Sequence, residues 1–220
     1  MLKPHPPLGP LQHTLSNLYA LDVPHPVDAF VHPMDPSDPE LHRGEVLLVG
    51  TDEDELQLAL LLAPEVFEAL SRPPENDAPE GSMPRFRAWC LALEGVSHFV
   101  FLAWAADQRR KVRELELELQ ADVDKYLVAV MQRCPGRSPS EALRLSAGVR
   151  RALFERVAFT DHPGTEKGQR YRLAHRVASR YARALERRFV RVGRFEPLLR
   201  EVRAFYRADL PNKIDRVVGL

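Results

Sequence analysis

Cysteine is nearly absent from this chain: Cys90 and Cys134 are the only two in 220 residues. Two thiols build no disulfide framework and offer no metal-ligand spacing, so a reducing, cytoplasmic setting is expected. Cys90 falls in an expected helix beside Trp89 and Leu91, which suits a buried thiol rather than a nucleophile. Glycine is thinly spread. None of the 11 glycines forms G-x-x-x-x-G-K or G-x-G-x-x-G, which excludes both phosphate-cradling loops. No serine occupies a nucleophile elbow. Long apolar runs are missing too. The longest, FVFLAWAA at 99–106, falls far short of the roughly 20 residues of a membrane span. MLKPHPPLGP at the start has four prolines and no apolar stretch, so neither a secretory signal nor a membrane span is expected.

Net charge is also absent, but only in the sum. Residues 1–130 hold 10 basic and 22 acidic side chains, and residues 131–220 hold 21 and 9. Such a split favours an anionic partner for the second part or neutralisation of one part by the other. Lysine is scarce, 5 against 26 arginines, so the placement of arginine carries the information rather than its abundance.

What is present reads as an α+β chain with a small antiparallel sheet of about three strands packed with a mostly helical C-terminal half. Nine of 19 prolines fall in the first 39 residues, marking residues 1–44 as a proline-rich N-terminal arm, with a short helix in LQHTLSNLYAL and an extended or partly mobile remainder. Residues 45–220 then read as one α+β domain, sheet part about 45–112 and helical part about 113–220. EVLLVG and LQLALLLA around an acidic turn suggest a hairpin. PEVFEALSR suggests a short helix, residues 72–84 a loop, and RFRAWCLALE a helix stopping at Gly95. VSHFVFLAWAA, rich in valine and aromatics, suggests the third strand. Ser138 and Glu141 form a capping box opening a helix to about Phe159. After the loop TDHPGTEKG a long helix is expected over about 167–192, ended by Gly193, and two shorter ones follow.

RELELELQAD at 113–122 alternates like a strand but keeps helical phase. Leu115, Leu119, Val123, Tyr126, Leu127 and Val130 share a sector about 120° wide, so a helix over about 113–133 is expected. Glu114, Glu118 and Asp122 then lie on an outer flank near Lys125. Glu116, Gln120 and Asp124 lie nearer the core. Carboxylates four apart project side by side and share a proton or a divalent ion. With Glu94 and His98 upstream, Glu116 and Asp124 make a candidate acid–base or mixed imidazole–carboxylate metal cluster. The plainer alternative is a solvated acidic face with partners elsewhere in the fold. His25, His32 and His42 are 7 and 10 apart and fix no geometry.

The second constellation is basic. Arg172, Arg176, Arg180, Arg183, Arg187 and Arg191 recur at spacings of 4, 4, 3, 4 and 4 and cover about 100° of one helix. Apolar residues fill the other side. Glu186 is the only acid between Gln169 and Gly193, so pairing within the helix leaves the row charged. The row invites an anionic macromolecule: an acidic protein surface, a nucleic-acid backbone, or the chain's own acidic helix. No zinc finger, RNA-binding signature or stacking-aromatic array specifies bases.

These features lead to a cytosolic binding or regulatory protein without cofactor, docking an anionic partner along the arginine helix. The alternative is a hydrolase-type enzyme using Glu94, His98, Glu116 and Asp124 with one divalent metal ion. A third reading makes the charge split an interface in a homo- or hetero-oligomer.

Overall fold

The computed structural model describes residues 6–35, 37–38, 40–52, 55–71, 83–155, 157, 159 and 161–219. The fold is α+β, with eight α-helices and three strands among the described residues. The chain divides into two compact units, residues 1–16 with 21–111 and residues 17–20 with 112–220.

The first unit begins with α1 (Gly9–Tyr19), whose last residues belong to the second unit. The proline-rich segment that follows, with a 3₁₀ turn at Val27–Ala29, is tied down. Gln12 donates to the His25 carbonyl and accepts from the Val27 amide. Asp28 accepts from the Leu8 and Gly9 amides, satisfying donors that a helix start leaves open. The segment then supplies β1 (Val31–Pro33), which runs parallel to β3 (Glu55–Leu62); β3 pairs antiparallel with β2 (Glu45–Asp52) in the order β1-β3-β2. Pro33 is tolerated because β1 is an edge strand, where a missing amide donor costs little.

The third strand therefore comes from the arm and not from residues 96–106, and the sheet is mixed rather than wholly antiparallel. Residues 96–106 belong to α3 (Met83–Asp107), one continuous helix that follows α2 (Pro64–Ser71). Valine and phenylalanine favour strands only weakly, and burial overrides them here. Val96, Phe99, Val100 and Phe101 are all buried, as on a core helix apolar all round. Gly95 does not end a helix. It lets α3 approach the sheet, since a Cβ there would collide with the Leu60 side chain and lie 3.1 Å from Glu45 Cγ. By length and composition α3 matches a membrane span, with a mean hydropathy of 1.4, yet 61% of that stretch is buried inside the fold. Most of the expected loop at 72–84, and the centre of the acidic turn at 53–54, lie outside the described residues.

The second unit is helical. The Leu/Glu alternation resolves as α4 (Glu114–Arg133). α5 (Pro139–Phe154) opens on the capping box: Ser138 Oγ accepts from the Glu141 amide, and Glu141 accepts from the Ser138 amide. It stops five residues before the expected Phe159. α6 (Glu166–Arg188) is capped by Thr165, whose hydroxyl accepts from the Gly168 amide at 3.0 Å. A 3₁₀ turn, Val190–Val192, follows and ends on Gly193 at φ +67°. α7 (Phe195–Arg207) and α8 (Leu210–Gly219) complete the unit. Its core is built on stacked rings, Tyr181 on Phe205 and Tyr19 on Tyr206, each pair 4.1 Å between centroids.

Candidate functional site

α6 turns one face inward and one outward. Ala174, Ala178, Tyr181, Ala182 and Leu185 are buried. On the opposite side Arg176, Arg180, Arg183 and Arg187 are exposed, and Arg191 continues the line from the 3₁₀ turn. Small alanines on the inner face let α6 lie close to α4, which leaves the long guanidinium arms outside. None of these five arginines has a hydrogen-bond or ion-pair partner among the described residues.

Arg172, expected as the sixth member, does different work. It is half-buried, donates to the carbonyls of Asp161 and Gly168, and lies over the Phe159 ring at 4.7 Å. It fastens the loop ahead of α6. Two arginines off the row are paired within the unit: Arg170 with Glu114 at 2.5 Å, and Arg150 with Glu155 at 2.5 Å and Glu186 at 3.5 Å.

The carboxylates of α4 are engaged elsewhere. Glu116 is 2% exposed and meets the fully buried Lys213 at 3.2 Å. Lys213 also donates to Gln120 Oε1 at 2.9 Å, and the Gln120 amide donates to Asp124 Oδ1 at 2.8 Å. Tyr19 completes the chain by donating to Asp124. Burial, with the Asp124 charge beside it, pushes the Tyr19 phenol well above its ordinary pKa, so it remains a donor. The core-side column of α4 thus holds a buried network in which the cation is a lysine of α8. Its position had a sequence signal: Lys213 shares helical phase with buried Leu210 and Val217. Tyr19 had none.

Asp122, on the outer flank, pairs with Lys125 at 2.8 Å and with His175 Nδ1 at 3.2 Å. His175 Nε2 faces the Phe154 carbonyl at 3.3 Å. Burial works to raise the Asp122 pKa, but Lys125 and His175 outweigh it and hold the carboxyl at about 2.

Glu94 and His98 stand one turn apart on α3, in the first unit. His98 is buried, with Nδ1 3.7 Å from Glu45 Oε1. The four residues expected as a cluster therefore divide between the units, Glu94 and His98 in one and Glu116 and Asp124 in the other. The second pair is joined through Lys213 and Gln120.

No protein-family model, curated protein or solved structure matches the chain. The functional reading therefore rests on chemistry and geometry.

Proposed function

We propose that the protein is a non-catalytic, cytosolic binding protein that docks a polyanionic backbone along α6, with nucleic-acid phosphates as the class the row suits best. The observation that carries this reading is the outward row of Arg176, Arg180, Arg183, Arg187 and Arg191, without a carboxylate partner among the described residues. Successive members within α6 are about 4.5–6 Å apart along the axis. Neighbouring like charges at that spacing repel by about 0.7–0.9 kcal/mol in water, and an aligned anion relieves that repulsion. Guanidinium groups bond phosphate oxygens in pairs, which adds geometry to charge. A stable protein interface has a desolvated apolar centre inside a polar rim. Here the large exposed apolar side chains, Leu173 and Val192, sit only at the ends of the row. That favours phosphates over an acidic protein surface.

The test is fluorescence anisotropy with a labelled 20-base-pair duplex and a single strand of the same sequence, across a salt series. Affinity independent of sequence is expected. Arg176→Glu, Arg180→Glu and Arg183→Glu combined should abolish binding while leaving the helical circular dichroism intact. Unchanged binding by that variant overturns the reading. Binding of poly-glutamate with no response to nucleic acid assigns the row to a protein partner instead.

A further inference from the structure

The first unit carries a groove that the arginine row does not use. Leu56, Leu58 and Leu60 alternate onto the one face of β3 that α3 covers, because Gly95 of α3 meets Leu60 directly. Coverage fails along the strand: Leu60 is fully buried, Leu58 half-buried and Leu56 36% exposed. Val49, directly opposite Leu58 on β2, is 54% exposed. The sheet's apolar face thus runs out from under the helix, and where it does so α3 carries small residues, Ala103 and Ala106. The space left is a cavity of about 410 Å³ with Phe99 and Phe30 in its wall, their rings tilted at 5.0 Å. That volume lies within the range of about 300–1,000 Å³ that small-molecule sites occupy.

The carboxylates at this groove are Asp22 and Asp107, both exposed at its edge. Asp22 has no hydrogen-bond or ion-pair partner among the described residues. Among the described residues Asp107 accepts only from its neighbour Gln108, at 2.8 Å. His25 lies edge-on to Phe30 at the same wall. The unit as a whole holds 8 basic and 17 acidic side chains, so its background field attracts cations.

We propose that this groove is a binding site for a small organic cation, an amine on an apolar, preferably aromatic, body. The body fills the space between β3 and the alanines of α3, and the ammonium lies at Asp22 and Asp107. Phenethylamine is the probe, titrated into the full chain and followed by amide chemical shifts, with 2-phenylethanol and 3-phenylpropionate as neutral and anionic counterparts. Shifts should map to Leu58, Phe99 and Ala103. The amine should bind about tenfold more tightly than the alcohol, and the carboxylate more weakly still. Asp22→Asn should weaken the amine by about threefold, the scale of one partly exposed ion pair, and leave the alcohol unchanged. Ala106→Trp, at an exposed position, should block all three without altering the thermal midpoint. Equal affinity for amine and alcohol, shifts that map elsewhere, or no binding at all overturns the proposal.

Discussion

Lys213 is a lysine with no exposed surface, beside a carboxylate with almost none. Removing one partner of a buried ion pair costs about 3–5 kcal/mol, because the other charge stays behind unpaired. Lys213→Met should destabilise the protein by that amount in urea denaturation. Adding Glu116→Gln should recover much of the loss, since the residue left behind no longer carries charge. A cost below about 1 kcal/mol, or no recovery, would mean the pair does little for stability. Asp122 gives a pH dependence. Its carboxyl titrates at about 2 in the fold against about 3.9 when unfolded, so its stabilisation is complete above about pH 4. It is lost as pH falls through 2. The stability gap between the native chain and Asp122→Asn should therefore close by about 2 kcal/mol between pH 5 and pH 2. A gap constant with pH contradicts the assignment. Much at this scale was legible in the sequence. Helical phase alone placed Glu116, Gln120 and Asp124 toward the core and Asp122 beside Lys125. Their partners were not legible, because phase gives the direction of a side chain and not what another element brings to meet it.

Among the elements, α3 separates propensity from packing most clearly. VSHFVFLAWAA has the composition of a strand, but at 11 residues it has the length of a helix, and apolar periodicity alone does not distinguish the two. Gly95 looked like a stop for the same reason: glycine at a helix end and glycine at a close approach are identical in sequence. Conversely β1 was hidden by the prolines around it, because an edge strand of three residues needs few donors. The capping box and the hairpin were readable because their signals are local. Gly95→Ala tests the close approach. Alanine is intrinsically better in a helix by about 1 kcal/mol. Its methyl would meet the buried Leu60 and Glu45 side chains, however, and overpacking of a tight core costs about 1–3 kcal/mol. A net loss of stability is expected from urea melts. A gain would show that α3 and the sheet have slack at that point.

For the whole molecule, the zero net charge conceals two units of opposite sign. Residues 17–20 and 112–220 hold 23 basic and 14 acidic side chains, an excess of nine positive charges, although the acidic helix α4 lies in the same unit. The described carboxylate pairings of α4 go to Lys125, Arg170, His175 and Lys213, not to the row. The row's register was readable from spacing alone. Its lack of an internal partner was not, since that depends on which helix meets which face. The measurement that bears most directly on the docking proposal is the salt dependence of duplex binding. Five phosphate contacts release counterions with a slope of about −4.5 in log K against log salt, and charge reversal at Arg176, Arg180 and Arg183 should remove most of that slope with the binding itself. A slope near zero, or one that the triple reversal leaves unchanged, contradicts docking of a nucleic-acid backbone along α6.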